Sequence, residues 1–132
     1  MIYVDSNIFI HAFIDKGAVG EKARKFLQLI QEGREKAATS ALTYDEVVWK
    51  VWKSRSYEDA LSAANDLIEF PNLVLIGVDD KIVAKSFDLM KIYRIFPRDS
   101  LHAACALENG IFIFLSQDKG FDKIKELKRK TL

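Results

Sequence analysis

The segment MIYVDSNIFI, residues 1–10, is apolar at both ends and carries the polar side chains Asp5, Ser6 and Asn7 in its middle. Its apolar and β-branched residues read as a buried strand, and we take IYVD at residues 2–5 as the first strand. A carboxylate at the end of a buried strand is costly to leave without a partner. We therefore expect the first strand to end at Asp5, and this carboxylate to belong to a site.

The composition indicates one globular domain over residues 1–132. Hydrophobic residues make up 49% of the chain and charged residues 30%, which is enough apolar surface for a core and too balanced a mixture for disorder. The net charge of +1 lacks the strong basic excess that is the usual footprint of a nucleic-acid binder. The longest apolar runs, such as IFIFL at residues 111–115, are too short to cross a bilayer, and the N-terminus lacks the form of a secretory signal. We expect a cytoplasmic protein without membrane contact.

Short apolar stretches alternate along the chain with longer amphipathic ones. The strand-like stretches are residues 2–5, 36–40, 72–78 and 111–116, and the last two are expected to be buried. The helical stretches are residues 21–33, 43–53, 57–69, 79–93 and 98–109, with a final helical turn or two at 120–127. Short apolar strands joined by helices are typical of a central parallel sheet with helices on both faces. The predicted fold class is α/β.

Four carboxylates fall where such a sheet places its ligands. In open parallel sheets the ligand lies beyond the carboxyl ends of the strands, and Asp5 and Asp118 each follow a strand-like stretch. Glu46 and Asp99 lie in the first turns of helices and can reach the same pocket. Four carboxylates in a partly desolvated cleft repel one another, so they need a compensating cation. Oxygen ligands alone favour Mg²⁺ or Mn²⁺ over zinc, and we expect the ion among Asp5, Asp99 and Asp118.

Three of these acids also have purely structural interpretations. Thr43 and Glu46 have the spacing of a capping box, in which Glu46 would bond back to the helix N-terminus. Asp99 has the position of an N-cap or first-turn acid, and Asp118 that of a turn residue. His102 follows Asp99 by three residues on the same helix, where a hydrogen-bonded, partly buried histidine is commoner than a catalytic one.

Four segments resemble the signature segments of the PIN-domain ribonucleases, and most closely those of the small VapC-like toxins of type II toxin-antitoxin pairs. In chain order they are VDSNIFI at 4–10, SALTYDEV at 40–47, RDSLHAACAL at 98–107 and LSQDKGFDKI at 115–124. Together they cover essentially the whole chain. The resemblance implies a single PIN-like domain with metal-dependent endoribonuclease activity, which hydrolyses RNA phosphodiester bonds with Mg²⁺ or Mn²⁺ as cofactor.

The resemblance also implies residue roles and partners. The acidic quartet would consist of Asp5, Glu46, Asp99 and Asp118. Asp122 matches a further acid that the family carries less regularly, and Asn7 and Ser116 match positions that orient the acids or bound water. Asp45 is an alternative to Glu46, but Glu46 holds the matching position. The VapC-like resemblance further implies a homodimer that pairs with a VapB-like antitoxin.

Two tryptophans lie on the helix that carries Glu46. Trp52 falls on the apolar stripe of Val48 and Val51 and is expected in the core, whereas Trp49 lies about 100° round the helix and is expected to be exposed. An exposed aromatic side chain near the cleft suits a partner interface. We expect an antitoxin segment to pack near the helices at residues 43–69.

Two other classes of function compete with the nuclease. A phosphoacceptor domain, with Asp79 as its candidate, requires an acidic pair after the first strand, and a DxD-type phosphatase needs a second acid where Asn7 stands. A catalytically silent PIN domain would bind RNA or a protein without cutting. Such domains usually lose one or more acids, and this chain keeps all four.

Overall fold

Five parallel strands form one central sheet in the computed structural model, which describes residues 1–132. The strands are β1 (Ile2–Val4), β2 (Ala37–Ser40), β3 (Leu73–Ile76), β4 (Ile113–Leu115) and β5 (Lys128–Lys130). Their order across the sheet is β3-β2-β1-β4-β5, so the first strand lies in the centre and β4 is its direct neighbour. This arrangement brings the chain that follows β1 close to the chain that follows β4.

Helices cover both faces of the sheet. They are α1 (Ser6–Ile14), α2 (Ala18–Gln31), α3 (Ala41–Ser54), α4 (Tyr57–Ile68), α5 (Asp80–Tyr93) and α6 (Pro97–Glu108), with a short 3₁₀ helix at Lys119–Lys123. None of these helices combines the length and the apolarity that crossing a bilayer requires. The α/β class, the parallel sheet and the helices on both faces are confirmed.

Alternation along β1 divides the core into two clusters. Ile2 and Val4 pack on one face with side chains of α1 to α4, and Tyr3 packs on the other face with side chains of α5 and α6. All three β1 side chains are buried. Because β1 is fixed from both faces, the backbone that leaves it at Asp5 has a well-defined starting point.

The first strand ends at Val4, directly before Asp5, as predicted, and the segment after Asp5, for which the sequence predicted no element, is a helix. Helix α1 begins at Ser6, and the Asp5 side chain accepts a hydrogen bond from the Ser6 backbone N–H at 2.8 Å. Asp is among the preferred N-cap residues. Ile8, Phe9 and Ala12 are buried at helical spacing. Most residues of this short helix are apolar, so its sequence has no wide polar face of the kind that distinguishes an amphipathic helix from a buried strand.

The edges of the sheet also differ from expectation. Strand β3 was expected to be buried, but it is an edge strand in which Val74 and Leu75 are about half exposed. Phe112, expected inside a buried strand, is exposed just before β4. The basic run Lys128–Lys130 forms β5. Of the helical turns predicted at residues 120–127, the structure contains only the 3₁₀ helix at Lys119–Lys123. Charged side chains are usual on edge strands, where they discourage pairing with another sheet.

Trp52 was expected in the core, and this expectation is wrong. The buried stripe of α3 consists of Thr43, Val47 and Val51, at four-residue spacing. Trp52 lies about 100° from Val51 round the helix, and 48% of it is exposed. Trp49 is exposed as predicted, and its ring packs edge-on against that of Trp52 at 5.6 Å between centroids.

Candidate active site

The carboxyl ends of β1 and β4 place Asp5 and Asp118 at the same edge of the sheet. The Asp5 backbone N–H donates to the carbonyl of Leu115, the last residue of β4, at 3.0 Å. Asp5 continues into α1, and Asp118 caps the 3₁₀ helix by accepting the Gly120 N–H at 2.8 Å. Asp118 is therefore also the turn residue that its sequence suggested. Parallel strands bring ligand-binding residues together at this edge.

Glu46 reaches this edge from α3. Its Oε2 atom accepts a hydrogen bond from Ser6 Oγ at 3.1 Å, and its Oε1 atom lies 2.5 Å from His102 Nε2. The capping box is not formed, because α3 begins at Ala41 and the Thr43 hydroxyl contacts Thr39 Oγ1 at 2.7 Å. Glu46 is thus available for the site, and its partners come from α1 and α6.

Ser116 connects Asp5 with the chain that carries Asp118. Its hydroxyl donates to Asp5 Oδ2 at 2.7 Å, and it accepts the Asp118 backbone N–H at 3.0 Å. The Asn7 side-chain amide donates to the same hydroxyl at 3.1 Å. Ser116 and Asp5 are both buried, so these bonds hold the Asp5 carboxylate in one orientation. Asn7 and Ser116 are the residues to which the resemblance gives an orienting role, and here Ser116 contacts Asp5 directly while Asn7 contacts Ser116.

Burial and mutual repulsion perturb two of the acids. The pKa of the Asp5 carboxyl is raised by burial; His102 and the bonds from Ser116 and the Ser6 N–H oppose this rise, and Glu46 adds to it. The pKa of Asp99, in the first turn of α6, is raised from 3.8 to about 6 by burial and then by the charges of Asp118, Asp5 and Glu46. The four acids therefore interact electrostatically, and their mutual repulsion adds to the cost that burial imposes on their ionised forms.

His102 is the residue of this site that the sequence did not assign. It was expected to be a hydrogen-bonded, buried histidine, and it is buried with partners on both ring nitrogens. Nδ1 lies 2.8 Å from the Tyr3 hydroxyl, and Nε2 faces Glu46 Oε1 and lies 3.8 Å from Asp5 Oδ1. The available signal was the spacing of Asp99 and His102, three residues apart and thus on one face of α6.

Asp122 is engaged away from the acidic cluster. Arg129 of β5 donates to both of its carboxylate oxygens, at 2.7 and 3.1 Å, and also donates to the Ser116 carbonyl at 3.0 Å. This partner lowers the pKa of the Asp122 carboxyl. The structure thus gives Asp122 a role in tying the 3₁₀ helix to β5. Asp45, the alternative to Glu46, is exposed on α3.

Comparisons with known proteins identify the family. The PIN domain profile matches residues 2–127. The chain belongs to the PIN domain family. No curated protein matches it significantly.

Solved structures share this PIN fold at low sequence identity. VapBC2 from Rickettsia felis, bound to a promoter DNA fragment, is 20% identical with a TM-score of 0.78, and the match covers 99% of this chain and 98% of that one. VapC20 from Mycobacterium tuberculosis, described as a sarcin-ricin loop cleaving toxin, is 14% identical with a TM-score of 0.77 and 95% of each chain covered. DNA-bound VapBC from Salmonella typhimurium is 18% identical with a TM-score of 0.77, covering 98% and 96% of the two chains.

The acids of this PIN domain have the donor chemistry of a hard divalent ion. All four offer carboxylate oxygens, and their mutual repulsion is the situation that a bound cation relieves. The structure contains no group of three or more histidine, cysteine, aspartate or glutamate side chains arranged to hold a metal ion. The candidate ligands Asp5, Asp99 and Asp118 would therefore have to draw together when an ion binds.

A cleft of about 240 Å³ opens beside two of the acids. It is lined by Arg94, Ile95, Phe96, Pro97, Asp99, Asp118, Gly120 and Lys123, and we call it the Phe96 cleft. A larger cavity of about 430 Å³ lies between α1, α2 and α4 and contains none of the four acids. The Phe96 cleft is thus the cavity that two of the four acids, Asp99 and Asp118, line.

Proposed function

We propose that this PIN domain is a Mg²⁺- or Mn²⁺-dependent endoribonuclease that hydrolyses RNA phosphodiester bonds. One observation carries the proposal. Carboxylates from four separate segments, at Asp5, Glu46, Asp99 and Asp118, interact at the carboxyl edge of the sheet, where burial and repulsion perturb them. Structural needs account for one acid at a time, but they do not account for a cluster whose members destabilise one another.

The chain's own residues would prepare this site for phosphodiester hydrolysis. Ser116 and the Ser6 N–H fix Asp5, and His102 and Ser6 fix the two oxygens of Glu46. Asp5, Asp99 and Asp118 would hold the divalent ion, which would supply charge neutralisation and activate water for attack. Glu46 keeps its place beside His102, where its carboxylate can accept a proton from a water that attacks the phosphate.

The test is cleavage of a mixed RNA pool by the purified protein with Mg²⁺ or Mn²⁺. We expect cleavage by the natural chain and none with EDTA, with Asp5→Asn or with Glu46→Gln. Asp45→Asn is the matched control, since Asp45 precedes Glu46 but is exposed, and this variant should cut normally. Equal cleavage by all variants would identify a contaminating nuclease. Metal binding without cleavage of any RNA would favour the alternative, a catalytically silent PIN domain that binds RNA or a protein.

We further propose that the protein is a cytoplasmic toxin that forms a homodimer and pairs with a VapB-like antitoxin. The VapBC structures support this partner, since each holds a VapC chain of this fold with its VapB partner. On this chain, Trp49, Trp52 and Tyr57 form an exposed aromatic patch on α3 and α4, with successive centroids 5.6 Å apart. Aromatic residues are enriched at protein interfaces. Loss of antitoxin binding in Trp49→Ala, with RNA cleavage retained, would support a role of this patch in pairing.

A further inference from the structure

We propose that the Phe96 cleft binds the nucleotide next to the scissile phosphate, with its base stacked on Phe96 and its phosphate beside Arg94 and Lys123. This inference rests on the proposed ribonuclease function and extends it to recognition of the strand. It assigns a binding site to residues that lie outside the acidic quartet. A nucleotide bound in this cleft would lie next to the acids, because Asp99 and Asp118 are among the residues that line it.

Phe96 presents an aromatic ring to solvent from a constrained backbone. With 78% of its surface exposed, it is the most exposed large hydrophobic residue of the chain. It is the N-cap of α6, it is followed by Pro97 in the first helical position, and its carbonyl accepts the Ser100 N–H at 2.9 Å. Proline fixes its own φ and restricts the residue before it. The ring therefore projects from a pre-ordered support, which lowers the entropy lost when a base stacks on it.

Two cations of the cleft have no acidic partner. Arg94 ends α5 and Lys123 ends the 3₁₀ helix, and neither lies within 4 Å of a carboxylate although Asp99 and Asp118 line the same cleft. Arg94 has a φ of 54°, in the left-handed region where glycine is the usual residue. Arg94 thus occupies a backbone conformation that usually belongs to glycine. Together with Lys123 from the 3₁₀ helix, it gives the cleft two positive charges that are not paired with a carboxylate.

This combination fits single-stranded RNA better than a peptide. Proteins bind single strands by stacking unpaired bases on aromatic rings and by placing cations along the phosphates. A basic peptide segment would meet Arg94 and Lys123, and an acidic one would meet Asp99 and Asp118. An RNA strand satisfies both, since its phosphates face the cations while the scissile phosphate lies at the acids, with a divalent ion between.

The stacking test measures binding of a fluorescent single-stranded RNA of roughly 12 nucleotides by anisotropy. The chain carries Asp5→Asn to prevent cleavage, in Mg²⁺, and the probe is checked for integrity on a gel. We expect Phe96→Ala to weaken binding by about 5- to 100-fold and Phe96→Trp to restore it. Phe87→Ala is the matched control, because Phe87 is 61% exposed on α5 but does not line the cleft, and it should bind normally.

An abasic scan of the probe makes the test specific for stacking. At the position whose base stacks on Phe96, removal of the base should weaken RNA binding to the protein that retains Phe96. The same removal should leave RNA binding to the Phe96→Ala variant unchanged. The cations are tested by the salt dependence of binding. Lys123→Gln should make the slope of log association constant against log salt concentration less steep by about 0.7, the value of one phosphate contact to a single strand. Lys125→Gln, an exposed neighbour that does not line the cleft, should keep the slope.

The outcomes separate this inference from the proposed function. If the natural chain cuts RNA while Phe96 and Lys123 variants bind and cut like their controls, the cleft assignment is overturned and the nuclease stands. If RNA is never cut but binding depends on Phe96 and one base, the nuclease fails, and the cleft stands as a binding site for single-stranded RNA with no scissile phosphate beside it. Absence of RNA binding, or loss of antitoxin binding alone in Phe96→Ala, also overturns the assignment.

Discussion

His102 Nε2 lies 2.5 Å from Glu46 Oε1, and this contact joins helix α6 to helix α3 inside the carboxylate cluster. The other ring nitrogen of His102 also has a partner, because Nδ1 lies 2.8 Å from the hydroxyl of Tyr3 on the central strand. Because both ring nitrogens have a partner, the buried imidazole is held in one orientation, with its Nε2 atom facing Glu46. His102 is therefore a positioning residue for the acid.

Replacement of His102 by alanine is expected to lower RNA cleavage by about 10- to 100-fold, the usual effect of removing a group that orients a catalytic ligand. His102→Gln should recover part of the rate, because its side-chain amide can donate from the position of Nε2. His102→Asn, whose shorter amide mimics Nδ1, should not. Single-turnover cleavage measures the effect, and a uniform loss in all three variants would mean that His102 only supports the fold.

Divalent ions are expected to raise the thermal stability of the natural chain. A ligand present at about 100 times its Kd stabilises the folded state by about 2.7 kcal/mol. Asp118→Asn should abolish most of this gain, because Asp118 contributes to the charge that the ion neutralises. Asp122→Asn should keep it, because Asp122 is held by Arg129 outside the cluster. Thermal denaturation with Mn²⁺ and with EDTA measures both, and an equal gain in both variants would place the ion elsewhere.

The buried hydroxyl of Tyr3 is expected to stabilise the support of the site. It donates to Ser40 Oγ at 2.8 Å and contacts His102 Nδ1, so Tyr3→Phe leaves buried polar atoms without a partner. Such a loss costs about 1 to 3 kcal/mol. Tyr93→Phe removes an exposed hydroxyl bonded to Glu126, and its effect should stay within about 0.5 kcal/mol. Urea unfolding of both variants compares them, and similar losses would contradict the role assigned to Tyr3.

The parts of this fold that depend on local pattern could be predicted from the sequence. The alternation of short apolar runs with amphipathic stretches gave the parallel sheet with helices on both faces. The ends of two strands marked Asp5 and Asp118, since parallel neighbours end at one edge. Helix α1 was missed because the run of large apolar residues after Asn7 also fits a buried strand, and β5 because a basic run resembles a solvated surface.

The contacts between distant elements could not be predicted in this way. Glu46 and His102 are 56 residues apart, and they meet only because α3 and α6 reach the same edge of the sheet. Likewise, the resemblance gave Asp122 as a further acid, but its contact with Arg129 depends on β5, a strand that the sequence did not predict. Trp52 was misplaced because the buried stripe of its helix is set by packing against α1 and α4, which the local sequence does not specify.

The stability of the metal-free protein is expected to fall as the pH rises from about 4 to about 6. Asp99 holds its proton up to about pH 6 in the folded chain but only to about 3.8 when unfolded, so the folded state binds more protons in this window. Above it, burial of the ionised Asp99 carboxylate and then repulsion by its acidic neighbours cost about 1 to 3 kcal/mol. Asp99→Asn should therefore be more stable than the natural chain at pH 7 in EDTA, and the gap should close toward pH 4.

Urea unfolding from pH 4 to pH 8, with Asp45→Asn as an exposed control, measures this gap. Mg²⁺ at neutral pH should reverse the order, because an ion bound beside Asp99 removes the repulsion in the natural chain, whereas the neutral amide of the variant gives the ion one negative charge fewer. A gap that does not change with pH would mean that Asp99 is ionised throughout, and that the acids lie too far apart to share a cation. Narrowing of the gap together with its reversal by Mg²⁺ is the combined result that a carboxylate cluster built for a metal ion requires.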